Sequence, residues 1–292
     1  MTTGWTPRPP DAGQPRGEHL PELDVPPPGR QRRWTVLLRL LLLLPQLIVT
    51  ALLGVAAFFV TIAGWFAALV RGRLPDGIAR FLGLFLAYET RVTAAAMLLV
   101  DRYPPFSFEA PGHPVRIELR PGELNRSAVL FRIVLMIPAV IVTTLLQYGW
   151  AAVCWVFWLI TLVLGRMPPA VFGAVAAVAR YRMRYQAYTM MLTSAYPKRL
   201  FGDAPPAAGL PAPAVPSGTR PLVLDTPAKA LIVLILVLGI VVACASPAVR
   251  VRDDHRDDHR DDRYGSSHAP TAPAAPPAAL EARQAHRSGQ AE

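Results

Sequence analysis

The chain has 292 residues, of which 52% are hydrophobic and only 17% are charged, and its mean hydropathy is +0.31. The apolar residues are concentrated in long blocks, which is typical of integral membrane proteins and argues against one large soluble core. The net charge of +10 comes almost wholly from arginine. In so apolar a chain this charge predicts contact with anionic lipid headgroups and not with nucleic acid. Both cysteines, Cys154 and Cys244, lie in apolar blocks, so we expect neither a disulfide framework nor a cysteine metal site.

The central part of the chain contains the same pattern twice. Residues 33–106 align without a gap with residues 126–199, and about 25 of the roughly 74 aligned positions are identical. Apolar composition alone does not explain the identities at arginine, proline, glycine, tyrosine and tryptophan. These pairs are Arg33/Arg126, Arg39/Arg132, Pro45/Pro138, Trp65/Trp158, Gly72/Gly165, Arg73/Arg166, Pro75/Pro168, Tyr88/Tyr181, Arg91/Arg184, Tyr103/Tyr196 and Pro104/Pro197. The chain is therefore a tandem duplication of one membrane-embedded unit.

Composition divides the chain into seven segments. The two ends are polar and rich in proline or alanine, cannot bury enough apolar surface to fold, and show no cleavable signal peptide at the start. The predicted segments are a disordered N-terminal segment (1–30), membrane repeat 1 (31–106), an inter-repeat linker (107–125), membrane repeat 2 (126–200), an Ala/Pro-rich linker (201–226), a transmembrane helix (227–246) and a disordered tail (247–292).

Each repeat opens with an almost wholly apolar run, Trp34–Val70 in the first and Ala128–Leu164 in the second. A straight helix of about 37 residues would reach about 55 Å, whereas the hydrocarbon core is about 30 Å thick. We therefore expect either a surface helix broken at the shared proline and followed by one span, or a tight hairpin that turns near Gly54 and near Gln147–Gly149. Arginines flank both ends of the runs, and the positive-inside rule favours the hairpin, which would keep all of them cytoplasmic.

A second helix follows the Gly-Arg-x-Pro turn of each repeat, at about 76–100 and 169–193, and carries several charges. Arginine at the bilayer centre costs a few kcal/mol, so an interfacial amphipathic helix with its basic side toward the headgroups is the cheaper placement. The alternative is a span whose arginines snorkel to the interface or face a neighbour. The residues predicted to contact lipid headgroups are Arg73, Arg91, Arg166, Arg180, Arg182 and Arg184. Glu89 has Arg182 at its equivalent position, so this acid is not a shared feature of the two repeats.

The remaining segments give weaker signals. Residues 113–119 alternate apolar and polar side chains, which predicts a short strand. Residues 227–246 have the length of one ordinary span. The stretch Asp253–Arg263 interleaves acids with His255 and His259, and we interpret it as a solvated, charge-balanced tail and not as a metal site, because nothing folded would hold the ligands in place. We expect this tail to lie outside the cytoplasm and to contact the cell wall or another envelope protein.

Several motifs together resemble those of a known family. They are the Arg39-to-Pro45 entry, the Gly72-Arg73-x-Pro75 turn and the sequence Asp101-Arg102-Tyr103-Pro104-Pro105-Phe106. In this order they resemble the DUF4389 family of bacterial, mainly actinobacterial, membrane proteins of unknown function, in which the unit often occurs in tandem. The second copy departs from the last motif and keeps only Tyr196-Pro197. The resemblance covers about residues 30–200 and implies membrane location without a known activity.

The sequence contains no phosphate-binding loop, no nucleophile elbow, no HExxH and no paired carboxylates. We therefore predict no catalytic, cofactor or metal site, and no enzyme. The predicted fold is an all-α, multi-pass cell-membrane protein, and the predicted role is a scaffold or lipid-interacting assembly protein of the bacterial envelope. The alternative is a small transporter or channel component, with a membrane-bound enzyme third. A transporter should show polar residues that converge between the repeats at mid-depth, and an enzyme should show a polar cleft at one face.

Overall fold

The computed structural model describes residues 19–119, 126–204 and 217–264, and of residues 126–128 and 246–264 it describes the backbone alone. The described residues fall into two units, one up to Ala245 and one from Ser246 onward. In chain order the elements are β1 (Glu22–Asp24), α1 (Arg33–Leu37), α2 (Arg39–Arg71), α3 (Asp76–Ala96), β2 (Arg116–Glu118), α4 (Arg126–Leu164), α5 (Pro169–Thr189) and α6 (Thr226–Tyr264). The predicted mainly helical architecture is confirmed.

Each repeat is a helical hairpin whose turn is the Gly-Arg-x-Pro motif. Gly72 and Gly165 end α2 and α4 in the left-handed conformation, with φ of 71° and 65°. Their N–H groups bond the carbonyls of Ala68 and Thr161 four residues back, at 2.8 and 2.9 Å. Glycine adopts this conformation without steric cost, which is why it commonly ends helices. The following proline sets the start of α3 or α5, and the chain returns along the helix it has just left.

The position of this turn corrects the prediction for the apolar runs. Helix α2 is continuous through Gly54, and α4 is continuous through Gln147–Gly149, so neither run turns at its midpoint. The shared prolines, Pro45 and Pro138, lie inside helices and do not end them. The break in the first run is at Leu38, between α1 and α2. Because α2 is unbroken, Arg32 and Arg33 lie at one of its ends and Arg71 and Arg73 at the other, so the arginines are not gathered on one side.

Three described helices are long and apolar enough to cross a membrane by length and composition: Arg39–Arg71, Val129–Leu164 and Thr226–Ala245. Little of their surface is covered by the rest of the chain, since only 11% of the most apolar window of α2 and 28% of that of α4 are buried. Large side chains such as Phe58, Phe59 and Phe131 are about 60% exposed. A contiguous apolar surface of this extent is typical of lipid contact.

Helices α3 and α5 form the core and do not lie amphipathically at a surface. Most residues of α5 are buried, from Val171 to Tyr188. The second half of α3, from Leu82 to Ala95, is buried in the same way. An amphipathic helix with an exposed basic side therefore does not describe α5 or the second half of α3, while the position of these helices relative to a membrane stays a prediction. Their small residues let other helices approach, while their charged residues find partners inside the protein.

A short ribbon lies in the segments before and between the repeats. Strand β1 pairs antiparallel with β2, with Leu23 opposite Ile117. The Arg220 guanidinium reaches Glu22 at 2.7 Å and Glu118 at 2.8 Å, one carboxylate on each strand. The strand predicted within residues 113–119 is confirmed at Arg116–Glu118. The prediction of a wholly disordered segment 1–30 is wrong for β1 and for the buried Val25, while residues 1–18 lie outside the described part.

Helix α6 packs across α4 through two glycines. A Cβ added at Gly149 would overlap the carbonyl oxygen of Ile235, and one added at Gly239 would overlap that of Leu145. The backbones therefore touch, as in the small-residue crossings of membrane helices. Helix α6 continues to Tyr264, whereas the sequence predicted one span that ends at 246 and a disordered tail. The rest of that tail, 265–292, lies outside the described residues.

We expect Gly149→Ala to lower the free energy of unfolding by about 1–3 kcal/mol, because the backbones of α4 and α6 must separate to admit one methyl group. Gly77 is a matched control: it also lies in a helix, and a Cβ there has no atom within 4 Å. Gly77→Ala should leave the stability unchanged or raise it slightly. Thermal unfolding of the full chain in detergent measures both variants, and equal unfolding temperatures would refute the close crossing.

Candidate functional site at the axis between the repeats

Two tryptophans at equivalent positions join the repeats reciprocally. Trp65, near the end of α2, donates its indole N–H to the carbonyl of Val129 at 3.3 Å, near the start of α4. Trp158, near the end of α4, donates to the carbonyl of Val36 at 2.8 Å. Val36 and Val129 are themselves equivalent, so the contact is the same in both directions, as at a twofold interface. The end of α2 meets the start of α4, and the end of α4 meets α1, which directly precedes α2. Helices α2 and α4 are therefore antiparallel, and the approximate twofold axis is perpendicular to them.

Two equivalent arginines hold the ends of the core helices. Arg39 donates to the carbonyls of Ala95 at 3.2 Å and Val100 at 2.6 Å. Arg132 donates to the equivalent carbonyls, those of Tyr188 at 2.9 Å and Thr193 at 2.7 Å. Both guanidinium groups are at least 95% buried. Carbonyls at a helix C-terminus lack intrahelical partners and carry partial negative charge, so a cation there is stabilised.

The arginines also stabilise an uncommon turn. Leu98 and Met191, again equivalent, have φ of 62° and 57°, which side chains of this size rarely adopt. The N–H of Leu99 bonds the Ala94 carbonyl and that of Leu192 bonds the Ala187 carbonyl, both at 2.9 Å. This is the Schellman pattern, which usually has glycine at its left-handed position. Each arginine bonds carbonyls on both sides of the turn and so offsets its strain.

The repeats differ in how they neutralise these arginines. In the first copy, Asp101 accepts from Arg39 at 3.0 Å. Ser194 occupies the equivalent position in the second copy. There, the Arg132 guanidinium instead stacks over the Tyr188 ring at 4.1 Å. In the second repeat, a cation–π contact takes the place of the carboxylate. The turn keeps its conformation, but the positive charge of Arg132 is not neutralised there.

The axis itself passes between two equivalent residues of opposite charge. Arg182 of α5 donates to Glu89 of α3 at 3.0 Å, and Gln186 donates to the same carboxylate oxygen at 2.6 Å. The Glu89 side chain is about 10% exposed and that of Arg182 about 32%. A position on a twofold axis always faces its own equivalent, so identical charges there would repel. The acid interpreted as an unshared feature is thus paired with its own counterpart in the other repeat.

Two grooves at equivalent places in the two repeats flank this pair. The Glu89 groove, about 440 Å³, is lined by Leu47, Thr50, Gly54, Phe85, Glu89 and Gln186 among others. The Arg182 groove, about 250 Å³, is lined by Thr143, Gln147, Trp150, Val178 and Arg182 among others. Each lies at the middle of its long helix. The equivalent positions are Thr50/Thr143, Gly54/Gln147, Ala57/Trp150, Phe85/Val178 and Glu89/Arg182.

The residues predicted to contact headgroups fall into two groups. Arg73 and Arg166 are exposed, directly after the turn glycines, and for them the contact stays a prediction. Arg91, Arg180 and Arg184 are 2–5% exposed and bond partners inside the protein; for them, too, a headgroup contact stays a prediction. Arg182 is half-buried and faces Glu89. Of the alternative, a span whose arginines snorkel or face a neighbour, the structure shows the contacts with neighbouring segments, while the candidate spans among the described residues are α2, α4 and part of α6.

The buried arginines bind carbonyls of loops, some after the core helices and one in the segment before β1. Arg91 donates to the carbonyls of Ser107 and Phe108, at 2.6 and 2.9 Å. Arg184 donates to those of Pro21 and Lys198, at 2.9 and 3.0 Å. These loops have no regular structure, so their carbonyls need side-chain donors. The sequence analysis did not predict that these arginines donate to loop carbonyls. Arg91 and Arg184 occupy equivalent positions in the duplication, which was a signal that they have the same role.

Arg180 has a carboxylate partner in the segment after its repeat. Its guanidinium donates to Asp203 at 2.5 Å, and Asp203 also accepts the N–H of Leu222 at 3.1 Å. Burial alone would raise the pKa of Asp203, but the Arg180 charge and these hydrogen bonds outweigh it and lower the pKa below its usual value. The segment before α6 is thereby attached to α5.

We expect Glu89→Arg to cost about 3–5 kcal/mol of stability, because two guanidinium groups then meet on the axis without a carboxylate. Glu89→Arg/Arg182→Glu restores opposite charges and should recover most of this loss. The exposed pair Arg80–Glu109, 3.8 Å apart, provides the control, since Glu109→Arg should change stability by about 1 kcal/mol or less. Chemical unfolding of the four proteins in one detergent decides the question, and a swap no more stable than Glu89→Arg would contradict the axial pairing.

His113 should make stability depend on pH. It is 2% exposed and its Nδ1 accepts the N–H of Val115 at 3.2 Å. Burial, together with the positive charges of Arg91 and Arg102, lowers its pKa from 6.5 to about 4. The unfolded chain therefore binds more protons between these values, so stability should fall as the pH drops from 6.5 to 4.

The Asp203 contribution is lost only at lower pH, below the usual carboxyl pKa of 3.8, so the two windows are separate. In His113→Gln, whose amide oxygen can accept the Val115 N–H but does not titrate, the unfolding temperature should be flat between pH 6.5 and 4. The same slope in both proteins would show that other groups cause it.

The comparisons agree with the internal repeat. The family model described as a domain of unknown function, DUF4389, matches residues 33–107 and 126–200. No curated protein and no solved structure matches the chain. The matched residues make up just over half of the sequence and coincide with the two hairpins α2–α3 and α4–α5 and the short segments around them. The chain belongs to the DUF4389 family and carries two tandem copies of its domain.

Proposed function

We propose that the protein is a multi-pass, non-enzymatic protein of the bacterial cell membrane that acts as a lipid-interacting scaffold or assembly protein. The observation that carries the proposal is the apolar surface of α2 and α4, which the chain leaves uncovered over most of its extent. At about 25 cal/mol per Å², such a surface is strongly unfavourable in water and is accommodated in a bilayer. A contact between the C-terminal tail (247–292) and an envelope partner belongs to the same proposal.

The arginines after the turn glycines supply the lipid contacts in this proposal. Arg73 lies at the end of α2 and Arg166 at the end of the antiparallel α4, so they lie at opposite ends of the molecule. Each would meet the headgroups of a different leaflet if both helices cross. A basic residue near an anionic surface contributes about 1 kcal/mol. Both ends are basic, so the positive-inside rule does not choose an orientation for α2.

A second candidate function, transport, has one specific observation in its favour. Glu89, Arg182 and Gln186 converge between the two repeats, near the middle of the long helices. Many transporters are built from repeats related by an axis in the membrane plane, with their polar site at this place. In this protein these three polar groups hydrogen-bond each other and fill the space between the repeats. Flux of an ion or solute through proteoliposomes that disappears in Glu89→Gln would favour transport over the scaffold role.

The leading proposal predicts selective contact with anionic lipids. In bilayers that contain a brominated anionic phospholipid, tryptophan fluorescence should be quenched more than in bilayers with the same fraction of a brominated zwitterionic one. Arg73→Ala/Arg166→Ala should remove most of this difference, since about 1 kcal/mol per residue is lost. Arg116→Ala, an exposed arginine of β2, should retain it. Equal quenching by both lipids in the wild-type protein would rule out the headgroup contacts.

A further inference from the structure

The second repeat shows what the groove of the first repeat lacks. Gln147 and Trp150 line the Arg182 groove, and their counterparts beside Glu89 are Gly54 and Ala57. The cavity beside Glu89 is correspondingly larger, about 440 against 250 Å³. A Cβ added at Gly54 would contact only the Phe85 ring, at the ordinary distance of 3.8 Å. The space is therefore open because side chains are missing, and not because the helices are held apart.

The groove opens toward the lipid-facing side of α2. Leu47 and Phe58 at its rim are 41% and 61% exposed, while Phe85 and Glu89 at its base are 3% and 8% exposed. A molecule dissolved in the bilayer can thus reach the base from the side. Its walls are mostly apolar, so its occupant has an apolar body, as is usual for ligand sites with few polar groups.

The polar groups at the base are mainly hydrogen-bond acceptors. Arg182 and Gln186 both bond Oε1 of Glu89, which leaves Oε2 to accept. One N–H of the Gln186 amide is engaged in that bond, while its second N–H can donate and its carbonyl oxygen can accept. Thr189 donates its hydroxyl hydrogen to the Tyr185 carbonyl at 2.9 Å, so its oxygen also accepts. The matching ligand group donates a hydrogen bond to Glu89 and can also accept one.

The charge balance of the site selects a neutral donor. Glu89 and Arg182 together carry no net charge, so an ammonium or carboxylate ligand would leave one uncompensated charge in an apolar groove. Such a charge is costly at mid-membrane. A hydroxyl donates one hydrogen bond and adds no charge. We propose that the Glu89 groove binds a neutral lipid alcohol, with the hydroxyl at Glu89 and the hydrocarbon chain along Leu47 and Phe58.

The proposal is tested with a long-chain primary alcohol that carries a photoreactive diazirine, with the corresponding methyl ether as its matched probe. The full chain is labelled in proteoliposomes, and the labelled peptides are identified by mass spectrometry. The alcohol should label the peptides that contain residues 47–58 and 186–190. The ether lacks the donor and should label them about three- to ten-fold less, the value of one net hydrogen bond.

Variants copied from the second repeat close the groove. Gly54→Gln, alone or with Ala57→Trp, should abolish the labelling of both peptides, because these side chains occupy the same space in the other copy. Ala56→Trp is the control, since Ala56 lies next to Ala57 but is exposed on the lipid side. It should label as the wild-type protein does. An unchanged unfolding temperature in Gly54→Gln shows that the loss reflects the groove and not the fold.

Two results would overturn the proposal: equal labelling by the alcohol and the ether, or full labelling of a folded Gly54→Gln variant. The inference requires the proposed membrane location but not the proposed headgroup contacts. Arg73→Ala/Arg166→Ala should therefore leave labelling unchanged, so that failure of the headgroup contacts and failure of the groove are separate outcomes.

Discussion

Charged residues on the two core helices cannot face hydrocarbon, and this constraint organises the molecule. Helices α3 and α5 carry Glu89, Arg91, Arg180 and Arg184, all at least 92% buried. Each helix alone has only the one apolar partner in its own hairpin, which would leave these groups toward lipid at a cost of several kcal/mol each. Packing the hairpins face to face turns the charged sides inward, where Glu89 and Arg182 pair and the remaining arginines bind loop carbonyls. The apolar helices α2 and α4 are left outside. The exposed apolar surface is thus a consequence of where the charges must go.

Because the unit is duplicated, the same arginine-supported turn occurs twice, with small differences between the copies. Arg39 and Arg132 bond equivalent carbonyls, and Leu98 and Met191 adopt the same left-handed conformation. A left-handed leucine or methionine costs about 1–2 kcal/mol, and the persistence of this geometry in both copies is explained by the arginine that bonds on either side of it. The supporting charge is free to differ, as the replacement of a carboxylate by a tyrosine ring shows. The two repeats share the arginine that bonds carbonyls on both sides of the turn, and they differ in the group that offsets its charge.

Sequence reasoning could identify the repeat, the turn glycines and the three apolar helices, because these depend on periodicity and local backbone chemistry. It placed the hairpin turn inside the apolar run, since length alone made one continuous helix of this size unexpected, whereas α2 runs unbroken through Gly54. It also placed Arg180 and Arg184 at the lipid surface, because the partners of a buried arginine are backbone carbonyls and Asp203, which leave no pattern near it in the sequence. The axial pair was the most accessible of the missed features. Opposite charges at equivalent repeat positions are visible without a structure, but their meaning requires knowing that the position lies on the axis.

The axial pair also bears on why the two domains share one polypeptide. Two identical chains that assembled through this face would place the same residue twice on the axis, giving two glutamates or two arginines in contact. A fused chain, whose halves can mutate independently, can place a glutamate opposite an arginine there. Joining the halves thus makes available a stabilising contact that symmetry forbids to separate copies. The same contact disfavours pairing between two first repeats, or two second repeats, of neighbouring molecules. Such a pairing would bring two glutamates or two arginines together on the axis.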